Sequence, residues 1–470
     1  MKWAALGICL AFVLPLAFWL RTNPRQRLIF WMALGFLPFA VNYFHLYMAI
    51  YSAAEWGGYV KGAEFSLLDA VALILYISLP RVRHSLPFRL SMALYFLATV
   101  LSAFQALFPI LSLFYPWQLA RMFLVYATVA KGCADPKATW ALMRGMGAAI
   151  IVEMGLVLWQ RFGLHLIQTG GTLGHQNLLG LMSHLVILPF FALLLAGPRG
   201  LFAAAVVLAG AITNVSTASR GTIGFSALGL LAVFMLSATG QWTSRKARVL
   251  LVGALVMAII VPAAIISLQE RFNAMPLGEE IYNEREAYKE AAATMLSDHP
   301  MGIGANSFAV IGNMRNYFNL GDVASVASSR AGNVHNIYYL VAAETGYLGL
   351  ATLLILFVSP VIVAFRGWWR NRADEKGSLL LGFGVALLTV YFHSWYEWSL
   401  ATFSAQYLLA MIIGLVAANA RALGYWQVKY SADRPQTSNR LITAKSASKI
   451  ASQPHRHVVP LHKRADERHG

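Results

Sequence analysis

Three residues grouped around one polar stretch have the types that chemistry on an anionic substrate needs. Arg220 ends the segment Thr213-Asn214-Val215-Ser216-Thr217-Ala218-Ser219, Arg285 lies inside the stretch 269–334, and His335-Asn336 stands where apolar sequence resumes. A guanidinium stays charged at any relevant pH and bonds phosphate oxygens as a bidentate fork. Histidine changes protonation near neutral pH and serves as a general base. Each residue also has a plainer role: an arginine at a helix end snorkels to headgroups, one among glutamates makes an exposed ion pair, and an interfacial histidine caps a helix. Gathered at one face, they suggest chemistry on an anionic, lipid-borne substrate.

Further candidates stand nearby. Glu344 lies nine residues beyond His335 inside an apolar run. A carboxylate at that depth requires a partner, catalytic or structural. Arg121 lies nine residues into the run 112–130 and is a functional-site candidate by the same logic, with Asp69 or Glu153 as alternative structural partners. Gly174-His175-Gln176-Asn177 opens another apolar run, so His175 and Asn177 can offer polar contacts at the same face, and His393 and Glu397 lie in the last turn toward that side. No Asp-x-Asp, His-x-x-x-His or Cys cluster proposes a metal, and no Walker or Rossmann fingerprint proposes a nucleotide cofactor. Metal and cofactor are therefore both expected to be none, and no feature points to nucleic acid.

The elements that must position these groups are membrane helices. Hydrophobic residues make up 58% of the chain and charged residues 12%, about half the usual charged share of a soluble domain. Apolar runs, each near the bilayer-crossing length, recur at 3–20, 28–50, 65–80, 88–108, 112–130, 138–160, 177–196, 200–216, 221–240, 247–268, 335–365, 377–394 and 400–420. Run 3–20 lacks a basic n-region and a small-residue cleavage site, so it reads as a helix rather than a signal peptide. The expected fold is all-α: a polytopic membrane protein of 12 (±1) transmembrane helices, without strands. Its parts are a bundle over 1–268, a loop or lid over 269–334, C-terminal helices over 335–420 and a basic, disordered tail over 421–470.

Charge orients the bundle. Connections rich in Lys/Arg (Arg21, Arg25, Arg27; Arg81, Arg83, Arg89; Lys131, Lys137; Arg199; Arg245, Lys246, Arg248; Arg366 to Lys376) alternate with connections nearly free of them. The rich set is cytoplasmic by the positive-inside rule, which puts 269–334 on the outer, periplasmic side. The tail, with ten Lys/Arg against three Asp/Glu, then lies beside the anionic inner leaflet. Within the outer loop, Tyr282–Leu296 reads as a helix that Asp298-His299-Pro300 stops, and Met301 to Asn306 as a glycine turn.

Three motifs in this order around one long outer loop resemble the O-antigen ligase/polymerase superfamily. They are Ser219-Arg220-Gly221; Arg285 followed by His299-Pro300-Met301-Gly302-Ile303-Gly304-Ala305-Asn306-Ser307-Phe308; and His335-Asn336-Ile337-Tyr338-Tyr339 with Glu344-Thr345-Gly346-Tyr347-Leu348-Gly349. The resemblance implies a membrane glycosyltransferase that moves a glycan from undecaprenyl diphosphate to a hydroxyl at the periplasmic face, with inversion and without metal. It implies that Arg220 and Arg285 hold the diphosphate, with Arg121 a candidate for a further family arginine, and that His335 acts at the acceptor. Asn336, Glu344, His175 and Asn177 are the expected supporting residues. Modest length and a single outer loop favour ligation to lipid A–core in lipopolysaccharide synthesis. Protein O-oligosaccharyl transfer and O-antigen polymerisation are the alternatives within the superfamily, and a membrane transporter is the alternative outside it.

Overall fold

In the computed structural model the described residues are 2–80, 86–197, 200–240, 242–274 and 279–426. Arg81, Arg83, Arg199 and nearly all of the basic tail read over 421–470 lie outside them. The chain is mostly helical, and seven helices are long and apolar enough to cross a membrane. They are Pro136–Gly163, Gln176–Ala196, Arg220–Gly240, Ser244–Ala274, Ile337–Arg370, Glu375–His393 and Phe403–Ala422. Gln176–Ala196 and Phe403–Ala422 are almost wholly enclosed by other helices, whereas Ser244–Ala274 leaves most of its apolar surface uncovered. A helix of that kind stands at the rim of a bundle and meets lipid. Other runs form shorter or more polar helices, among them Pro24–Ala40, Leu67–Ser78, Arg89–Ala103, Phe114–Gly132 and Gly200–Ser216.

The expectation of an all-helical chain fails at one place. The run 28–50 is helical only as far as Ala40, and the chain then turns through His45 at φ 51°. Tyr47–Ser52 pairs antiparallel with Gly62–Ser66, in a register that sets Tyr47 against Ser66 and Ser52 against Gly62. Aromatic and β-branched residues in Tyr47-Met48-Ala49-Ile50-Tyr51 suit a strand as well as a helix. The hairpin is tied to the polar stretch after Ser244–Ala274 through Asn306. The Asn306 side chain accepts from the Val60 amide at 2.8 Å and donates to the Val60 carbonyl at 2.8 Å.

The loop is built on the helix Glu279–Asp298. Ala287, Tyr288, Ala291, Ala292 and Met295 form its buried stripe. Their spacing of three and four residues is that of one helix face. Tyr288 packs edge-on to Phe318, with ring centroids 5.6 Å apart. The Pro300–Gly304 turn then docks on the Ile337–Arg370 helix. Ile303 and Gly304 amides donate to the Ala343 and Glu344 carbonyls at 3.0 and 2.9 Å, and the Tyr347 amide donates to Pro300 at 3.1 Å. This docking occurs where Gly346 leaves helical geometry (φ 68°, ψ −171°). The run expected as one span over 335–365 is thus two helical segments joined at Gly346, because the break frees backbone groups for the turn to occupy.

Candidate active site

Glu397 is the hub at which polar residues from several connections meet. It sits in the turn after Glu375–His393 and is almost fully buried. One carboxylate oxygen lies 3.4 Å from His335 Nδ1. The other lies 3.6 Å from an Arg285 Nη and also accepts from the Asn177 amide. Asn177 in turn accepts from Ser219 Oγ at 2.7 Å, and Ser219 Oγ accepts from the Thr222 amide at 3.3 Å, at the start of the helix that Arg220 opens. Five separate segments are thereby joined through one carboxylate and one amide.

Local sequence explains why each group is presented. His335 immediately precedes Asn336, whose side chain accepts from the Tyr338 and Tyr339 amides at 2.9 and 3.2 Å and caps the helix. The fully buried cap fixes Asn336, and that leaves His335 half-exposed in front of the helix start. His175 caps the Gln176–Ala196 helix through Nδ1, which accepts from the Leu178 amide. Arg285 lies off the buried stripe of its helix and faces the cleft.

A third arginine joins this group. Arg271, in the last turn of Ser244–Ala274, donates to the Ala218 carbonyl at 2.8 Å and lies within electrostatic reach of Arg220, Arg285 and Glu397. Ala218 is held at φ 49°, an uncommon conformation for a residue with a β-carbon. Arg271 therefore braces the turn that presents Arg220 while adding its own charge. Sequence reasoning missed it because the helix runs six residues past the apolar run 247–268; a basic residue in the last helical turn at the loop's edge was the available signal.

Electrostatics follow from this crowding. Burial would raise the Glu397 carboxyl, but the hydrogen bond and charge of His335, with the charges of Arg285 and His175, hold it below its ordinary value. Burial pushes His175 below the usual histidine range, opposed by Glu397 and reinforced by His335.

Two sequence candidates stand apart. Arg121 is buried in an ion pair with Asp69 (2.9 Å), faces Glu64 at 3.6 Å and donates to the Tyr407 hydroxyl. Asp69 also accepts from the Ser66 amide and the Tyr407 hydroxyl at 2.8 and 2.6 Å, within a capping box at the start of Leu67–Ser78. With these partners Arg121 lies in a separate buried cluster and is not among the residues that meet at Glu397. Glu344 accepts from the Asn306, Ser307 and Phe308 amides at 2.8, 2.8 and 3.0 Å and from the Tyr59 hydroxyl at 2.7 Å. It caps the short helix Phe308–Met314 from across the bundle and so anchors the loop. His393 is buried and stacks on Phe225, with centroids 5.1 Å apart.

A cavity of about 780 Å³ lies along the Ser244–Ala274 helix and reaches Glu270, the residue before Arg271. Leu158, Phe162, Leu208, Ile212, Ile259 and Ile266 line it, and its polar end carries Ser267 and the Arg161–Glu270 ion pair, next to Arg271.

Residues 204–354 match the family model described as O-antigen ligase. Over these residues the chain is similar to the O-antigen ligases. The match takes in Arg220, Arg271, Arg285, His335 and Glu344, while Asn177 and Glu397 fall outside it. Members of this family are membrane glycosyltransferase-like enzymes, and the apolar helices of this chain are those of an integral membrane protein. Lipid-linked glycans and lipid acceptors are the family's general partners. No curated protein matches the sequence.

Proposed function

We propose that this chain transfers a glycan from undecaprenyl diphosphate to a hydroxyl of lipid A–core, at the periplasmic face of a bacterial inner membrane. The observation that carries the reading is the convergence of Arg285 and His335 on Glu397, with Arg271 and Arg220 alongside. Three guanidiniums against one carboxylate leave a net charge of about +2, which complements a diphosphate diester. Fixed cations at that position stabilise charge as it develops on the leaving diphosphate.

The proton route runs through His335. With Nδ1–H directed at Glu397, the Nε2 lone pair is available to take the acceptor hydroxyl's proton. The hydroxyl oxygen then forms the new bond to the anomeric carbon as the carbon–oxygen bond to diphosphate breaks, and the electron pair leaves with the phosphate. Attack from the face opposite the leaving group inverts the anomeric centre, and the proposed scheme assigns every charge and proton to a side chain, without a metal. The cavity suits the polyprenyl chain, since it is apolar along its length and its polar end, at the Arg161–Glu270 ion pair, is one residue from Arg271. Full crossing by 12 (±1) helices, with residues 269–334 as a periplasmic lid, completes the reading.

Disruption of the gene followed by parallel inspection of lipopolysaccharide, lipid-linked polymer and glycoprotein tests it. Loss of long-chain lipopolysaccharide with lipid-linked polymer retained is expected. Loss of the polymer itself would make the chain a polymerase, and loss of glycoprotein alone would make it a protein O-oligosaccharyltransferase.

A further inference from the structure

A second cavity, at the other end of the bundle, gathers four cationic side chains. It measures about 490 Å³, within the roughly 300–1,000 Å³ of small-molecule sites. Arg25, Arg27, Lys131 and Lys137 line it, and Asp135 is the lone carboxylate among the lining residues. The Asp135 side chain is already engaged, accepting from the Lys137 amide at 2.9 Å as a helix cap. Trp31, fully buried, forms the floor.

Two helices add their positive ends. Pro24–Ala40 and Pro136–Leu158 both begin at this cavity. They run in the same direction, because Phe36 and Phe39 meet Val152 and Leu156 at another cavity near their far ends. Close packing holds them together: a β-carbon at Gly145 would fall 1.9 Å from the Met32 carbonyl. The first of these helices has Asn23 at its cap position with no side-chain cap bond. Parallel helix starts add partial positive charge and backbone donors to the four cationic side chains.

The apolar surface beside the cavity says which phosphate fits. Arg25, Ile29 and Met32 are spaced four and three residues apart and share one face of the Pro24–Ala40 helix. Ile29 and Met32 are 59% and 40% exposed. An acyl chain lies along that stripe when its phosphate sits at Arg25, whereas a soluble phosphate has no use for it. The 23-residue helix opened by Pro136 separates this cavity from the Glu397 group by about 35 Å, so it is not part of that site.

We infer that this cavity binds the headgroup of an anionic glycerophospholipid, in the leaflet opposite His335. Basic pockets between membrane helices take such headgroups. The site stands whether or not the proposed transfer reaction is correct.

The test is titration of the delipidated, detergent-purified chain with phosphatidylglycerol, phosphatidylcholine or inorganic phosphate, read by thermal unfolding and by lipid adducts in native mass spectrometry. Phosphatidylglycerol is expected to raise the unfolding temperature and to remain bound, phosphatidylcholine to do neither, and millimolar phosphate not to displace it. The double variant Arg25→Gln/Lys137→Gln should bind phosphatidylglycerol about 10–30-fold more weakly. Equal retention by the folded variant, or equal binding of phosphatidylcholine, overturns the inference; efficient displacement by phosphate assigns the cavity to a soluble anion instead. If the double variant does not fold, Arg25→Gln alone, at an exposed position, decides in the same way.

Discussion

Glu397 stands 3.4 Å from His335 Nδ1 and shares its other oxygen with Arg285 and Asn177, so one carboxylate sets the histidine's tautomer and orients an arginine. Removing it leaves His335 in place without a fixed orientation. His335→Ala is expected to slow transfer by roughly 10²–10⁴. Glu397→Gln should slow it by less, shift the pH profile and leave donor affinity nearly unchanged. Reconstituted transfer with a lipid-linked glycan measures all three quantities. Wild-type rates in His335→Ala would remove the base from the scheme, and an unmoved pH profile in Glu397→Gln would reduce Glu397 to a packing role.

The same contacts make the Glu397 group sensitive to acid. The Glu397 carboxyl is depressed, so its stabilising contribution is present above the ordinary carboxylate value of about 4.3 and is lost as pH falls through its folded value. His175 is also depressed: its contribution is complete above the ordinary histidine value of about 6.5 and declines below it, because protonation destroys the acceptor that caps Leu178. Both act in one direction. The purified chain should lose thermal stability from pH 7 to 4, and His175→Asn, which keeps a capping oxygen, should flatten the upper part of that decline. A stability curve that rises on acidification would contradict both assignments.

Much of this site was legible in the sequence because its members flank connections. Arg220, His335, His175 and Asn177 stand at ends of apolar runs, Arg285 lies in the polar stretch between two of them, and charge alternation puts such ends on one face. What hydropathy cannot carry is partner choice. Arg121 and Arg271 look alike as isolated cations, yet one is enclosed by Asp69, Glu64 and Tyr407 while the other braces Ala218 beside the cleft. Glu397 was visible in its turn, but nothing local says that it reaches His335, sixty-two residues away. The hairpin at Tyr47–Ser52 was hidden because its apolar run continues directly from a helix, and only pairing with Gly62–Ser66 separates the two.

Arg121 and Arg271 therefore give opposite phenotypes. Arg121→Ala leaves Asp69 buried without its charge partner, a loss of about 3–5 kcal/mol. It should lower the unfolding temperature strongly, and whatever folded protein remains should bind donor normally. Arg271→Gln should unfold close to wild type but bind the lipid diphosphate more weakly, with reduced sensitivity to salt. Thermal unfolding paired with donor titration at two ionic strengths separates the two outcomes. Weakened donor binding by folded Arg121→Ala would return that arginine to the active group.

Gly346 offers the sharpest test of how the loop is held. Its φ of 68° is open to glycine, and a β-carbon there would fall 2.3 Å from the Pro300 carbonyl oxygen and 2.5 Å from the Met301 carbonyl carbon. Both contacts are backbone, so neither neighbour yields by rotating a side chain. Gly346→Ala should cost about 1–3 kcal/mol in strain, relieved only by lifting the Pro300–Gly304 turn off the helix. That movement would also take Asn306, Ser307 and Phe308 away from Glu344. Faster proteolysis within 299–334, with the remaining helices still resistant, is the expected result. Uniform proteolysis across the chain would mean that the turn and the helix fold as one unit, and an unchanged digest would mean that the loop is anchored elsewhere.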